Sequence, residues 1–168
     1  VIKGDIMAAT TIVNNMTVVH KSSDGTTMTF PDVCKTPTSG GPVPIPYPNV
    51  AQSADTSKGS KKVKVDGNPI MLKGSVFSKS SGDEAGSVGG VVTGKTKGKA
   101  DFVNYSFDVK VEGKNVPRLM DPMVSNKGSP GNTPPAPEMQ APAFAAPPAE
   151  VEAEDYHCLL YTSDAADE

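Results

Sequence analysis

The chain has 168 residues, of which 36% are hydrophobic and 5% aromatic, with no tryptophan and a formal net charge of −3. It has no apolar run of bilayer length, so no stable membrane insertion is expected of it. All 16 Lys and Arg fall in residues 1–127 against 11 acids, a net of +5, but they are scattered without stacking aromatics, and no nucleic-acid partner is expected.

At the N-terminus, Lys3-Gly4-Asp5 back-translates to a ribosome-binding sequence placed before Met7, so residues 1–6 are read as untranslated leader or a disordered start. No apolar stretch follows the early lysine, and no signal peptide is expected. Residues 17–20 and 26–30 are β-rich and flank Asp24-Gly25, a good turn pair, which predicts a first hairpin.

Residues 31–48 follow, reading Pro-Asp-Val-Cys-Lys-Thr-Pro-Thr-Ser-Gly-Gly-Pro-Val-Pro-Ile-Pro-Tyr-Pro. Prolines at 42, 44, 46 and 48 fix φ and remove every second donor, so the stretch can be neither helix nor interior strand and is expected to be an extended ribbon. Followed by Asn49-Val-Ala-Gln-Ser-Ala-Asp-Thr56, it resembles the PAAR-like family of type VI secretion spike-tip proteins, and the resemblance runs from about Thr11 to Met123.

Residues 63–70 and 109–116 share the pattern V-K-V-[DE]-G-x-x-[IV], and internal repetition implies internal symmetry. Each acid-Gly pair predicts a tight turn between alternating strands, and Asp24-Gly25 is counted as a third such corner. Residues 79–94, rich in glycine, lack the register of a phosphate loop and are read as a place where backbone packs on backbone. Residues 105–111 alternate as a strand. Arg118-Leu-Met-Asp121 is read as an ion pair or turn cap that resembles the close of the PAAR repeat.

Beyond Lys127 the composition shifts to Pro, Ala, Gly and Glu. Residues 7–127 are therefore expected to be the folded domain and 128–157 a disordered Pro/Ala linker. Residues 158–168 back-translate to a transposon-end sequencing adapter and are read as an artefact. That leaves Cys34 as the native cysteine, without a disulfide framework.

The expected fold is all-β, a small cone or prism of short hairpins with pseudo-threefold character. No catalytic constellation is recognisable, and no enzymatic activity is expected of these residues. The family resemblance implies a non-enzymatic spike tip that caps the trimeric valine-glycine repeat spike (VgrG) as a monomer, helps breach target envelopes and carries effector cargo. It implies assembly in the cytoplasm followed by injection. The alternative is the N-terminal delivery module of a toxin whose catalytic domain lies outside this sequence. By the same resemblance His20 and Cys34 are candidate zinc ligands; Pro117 stands where the family pattern supplies a cysteine, so the remaining ligands are open.

Overall fold

The computed structural model describes residues 9–128 and 130–141. Among them are fourteen short strands and one 3-10 turn but no α-helix, and the fold is all-β as expected. The longest strands, β3 (Thr26–Thr36) and β4 (Val43–Gln52), pair antiparallel from Thr26↔Gln52 to Thr36↔Val43. From β4 the main sheet continues through β3, β14 (Ala136–Met139), β13 (Pro122–Val124), β10 (Ala100–Phe102), β8 (Val76–Phe77) and β5 (Thr56–Ser57).

The prolines decide where this sheet ends. The carbonyls of Val33 and Lys35 accept from Val91 and Val88, on the side where β9 (Gly89–Gly90) pairs with β3. Cys34 is thereby turned toward Ile45, and Pro44 and Pro46, which have no N–H to give, aim away from β3. The proline ribbon is extended, and it serves as an edge strand.

Several expectations change. Residues 17–20 and 26–30 are not a hairpin, because Ser23 donates both its N–H and its hydroxyl to the His20 carbonyl and turns the chain away before Asp24. Gly25 instead donates to Ser53 Oγ, while Thr26 pairs with Gln52 and Met139. Of residues 105–111 only Lys110–Val111 is strand, since the Ser106 hydroxyl captures the Val109 N–H.

The domain boundary expected at Lys127 also moves. Residues 130–141 belong to the body, because β14 lies between β3 and β13, with Glu138 opposite Thr27 and Pro137 opposite Pro122. The Glu138 N–H donates to Asp121 O and its carbonyl accepts from Met120. Of the expected linker, residues 142–157 lie outside the described residues, as do 1–6 and 158–168.

Two apolar clusters hold the chain together. One gathers Val19, Ala51, Met71, Phe77, Ala100, Phe102 and Met123 under the main sheet. Within it Phe77 and Phe102 meet edge-on at 6.1 Å and 76°, a geometry worth about 1 kcal/mol beyond burial. The other joins Val18, Val65, Ile70, Leu72 and Val116 with Val13, Val109 and Val111.

Candidate functional site

That second cluster is the hub of three hairpins outside the main sheet: β1–β2 (Ile12–Val13, Met16–Thr17), β6–β7 (Lys64–Val65, Asn68–Pro69) and β11–β12 (Lys110–Val111, Lys114–Asn115). Each turns through two residues of positive φ: Asn14 and Asn15 (50° and 64°), Asp66 and Gly67 (51° and 76°), Glu112 and Gly113 (51° and 75°). Two successive positive φ values make a type I′ turn, which follows the natural strand twist and calls for Asn, Asp or Gly. Equivalent N–H donors then close the three units, Val18 to Thr11 O, Ile70 to Val63 O and Val116 to Val109 O, at 3.1, 3.3 and 3.3 Å.

The likeness continues into the next turn. The N–H groups of His20, Leu72 and Arg118 donate to the side chains of Ser23, Ser75 and Asp121, whose own N–H groups donate back to the three carbonyls. The units also follow one another round a closed ring. Thr10 donates to Asp66 of the second corner, Ser60 to Glu112 of the third, and Ser106 to Asn14 of the first. The third corner is therefore Asn14-Asn15 and not Asp24-Gly25. Its signal was present in Thr11-Ile-Val-Asn-Asn-Met-Thr-Val18, but without glycine it escapes the acid-Gly pattern.

His20 works inside this ring. Its Nδ1 accepts from the Ser22 N–H at 3.2 Å, so Nε2 carries the proton and donates to Asp66 Oδ2 at 3.0 Å. The Thr10 hydroxyl and N–H, together with His20, hold the Asp66 carboxyl below the usual range. Arg118 makes the matching contact at the next corner, with its guanidinium on Asp121 and on Asn14 Oδ1, the latter at 2.8 Å. The expected ion pair is present.

Cys34 lies in a different cluster, and no hydrogen bond links it to His20. Asp32, Cys34 and Asp83 are all buried, and their ligand atoms lie within 4.8 Å of one another. β3 supplies the first two, and the glycine-rich segment 79–94 supplies Asp83. That segment packs so closely that a Cβ at Gly86 would overlap Cys34 Cβ, which is why a residue without a side chain stands there. Two Lys97 N–H contacts of 3.0 Å pin Asp83, and Asn49 Nδ2 donates to Asp32 Oδ2.

Burial, then the two carboxylates, push the Cys34 thiol up to about 12, and burial raises Asp83 as well. Asn126 Nδ2 sits amid four acceptors: Lys95 O at 2.6 Å, Asp83 Oδ2 at 3.1 Å, Asp32 Oδ1 at 3.5 Å and Cys34 Sγ at 3.8 Å. One amide has two hydrogens for those four atoms. Asn132 Nδ2 donates to Asp32 Oδ1 as well, so both carboxylates are hydrogen-bonded. Two carboxylates and a thiol this close together could nevertheless hold a metal ion.

Residues 25–134 match the family described as the toxin PAAR-like domain. The chain is also 44% identical over 137 residues to the DNase toxin Tse7 of Pseudomonas aeruginosa, a match that covers 76% of this chain and 36% of that relative. It thus spans little more than a third of the relative's length. No solved structure matches. The proline ribbon, the glycine segment and two of the three ring corners all fall inside the matched region; the chain belongs to the toxin PAAR-like domain family.

Proposed function

We propose that this chain is the delivery module of a type VI secretion toxin, docking as a single copy on the trimeric VgrG spike. The observation that carries this is the closed ring of three equivalent corners within one chain. A monomer with three like contacts matches a threefold platform without needing three copies of itself. The similarity to a DNase toxin nearly three times as long as the matched stretch favours a delivery module over a free-standing tip. The ring and sheet require no reaction of their own for this role, which is mechanical.

Light scattering on a chromatographed mixture of chain and spike tests the stoichiometry. One chain per spike trimer is expected, and recovery of three chains per trimer, or of no complex, would reject the docking model.

We further propose that the buried acid cluster takes zinc, with Cys34, Asp32 and Asp83 as its protein ligands and His20 excluded. Zinc would displace the thiol proton and neutralise charge that burial makes costly. Asn126 would then turn its amide away from the three ligand atoms.

A further inference from the structure

The ring has one broken clasp. At two of its three equivalent positions a long polar side chain reaches the first turn residue of the next corner, as His20 does to Asp66 and Arg118 to Asn14. The third equivalent is Leu72, which has nothing to offer Glu112 but methyl groups. Glu112 is held instead by Ser60 Oγ at 3.0 Å and the Lys61 N–H at 3.2 Å.

At this gap the structure has a cleft of about 420 Å³, lined by Lys58, Gly59, Lys61, Leu72, Glu112 and Lys114. Three lysines and one carboxylate are thus among its lining residues. Among the described residues none of the three lysines takes part in an ion pair.

We propose that this cleft is a binding site for an acidic peptide segment of a partner protein. Carboxylates would sit among Lys58, Lys61 and Lys114, and their aliphatic stems would lie toward Leu72. The excess of positive charge sets the sign of the ligand. The lysines are flexible point charges, which suit carboxylates on an adaptable chain better than the fixed geometry of one small anion. Lys64 and Lys110 extend the charge on the outward faces of the same two corners, where the first corner has the apolar Ile12. At this strand position two of the three corners are therefore basic and the first is not. The inference does not depend on the trimeric spike, and a failed stoichiometry experiment leaves it intact.

Fluorescence anisotropy of the full chain with a labelled oligoglutamate peptide is the test, run beside its oligoglutamine counterpart, inorganic phosphate and a duplex oligonucleotide. The glutamate peptide should bind at least about tenfold more tightly than the glutamine one, and the difference should shrink at high salt. Lys61→Glu with Lys114→Glu should remove that preference, whereas Lys79→Glu with Lys97→Glu, an equal charge change elsewhere, should keep it. Leu72→Arg rebuilds the missing clasp onto Glu112 and should close the cleft to the peptide; if it does not fold, the lysine pair decides alone. Equal binding of both peptides, equal loss in the two lysine pairs, or tighter lysine-dependent binding of phosphate or duplex than of the glutamate peptide would each overturn the proposal.

Discussion

Cys34 shows how far single residues carry information. The thiol and Asp32 stand two apart in a strand, so their side chains share a face, and that much was legible in the proline ribbon. Asp83, Asn126 and Asn132 reach the same sulfur from 49, 92 and 98 residues away and show no mutual pattern in the sequence. His20 shows the same limit: nothing local reveals that Asp66, 46 residues on, accepts the hydrogen bond of its Nε2. If zinc is held as proposed, elemental analysis of protein purified without added metal should find it in His20→Gln and lose it in both Cys34→Ser and Asp83→Asn. Zinc that follows His20, or a wild type free of metal with undiminished stability, would remove zinc from the account.

Strand β14 is the element that composition concealed. Prolines at 135 and 137 resemble linker, yet their spacing of two leaves Ala136 and Glu138 free to pair, and Glu138 is buried beside Gly25. Burial, and then Asp121, push its carboxyl up to about 8, while Asp121 is itself paired with Arg118. Neither Glu138 oxygen has a hydrogen-bond donor among the described residues, so the strand seats a neutral acid. The folded carboxyl keeps its proton where the unfolded one, near 4.5, has lost it. Its stabilising effect is therefore complete below about pH 4.5 and is lost as pH rises toward 8, by at most about 1.4 kcal/mol per unit. Asp83 contributes with the same sign, so the useful quantity is the difference between wild type and Glu138→Gln. In urea unfolding at pH 5, 7 and 9, Glu138→Gln should gain on the wild type as pH rises and exceed it at pH 9. Parallel stability curves would mean that Glu138 is ionised or solvated in the folded protein.

At the scale of the whole molecule, the all-β class and two ring corners could be read from the repeated V-K-V-acid-Gly pattern, whereas the third corner and the closure between corners could not. Thr10, Ser60 and Ser106 close the ring, while the equivalent places beside them hold side chains of different chemistry, His20, Leu72 and Arg118, of which two add a polar clasp. A ring with two polar clasps and one open gap should respond unequally to equivalent substitutions. Asp66 and Glu112 both begin type I′ turns with φ of 51°, so replacing either with alanine incurs a similar backbone cost, which largely cancels in the comparison. What differs is the partner. Asp66→Ala strands the Nε2–H of His20, a side chain only 1% exposed, and removes two contacts from Thr10. An unpaired buried donor costs about 1–3 kcal/mol. Glu112→Ala releases only Ser60 and Lys61 at the edge of an open cleft and should cost under about 1 kcal/mol, within the range of ordinary surface changes. Denaturant unfolding of the two variants measures the contrast. If Glu112→Ala proves as damaging as Asp66→Ala, the gap is bridged in solution, and the ring is more nearly symmetric than the side chains at its three corners indicate.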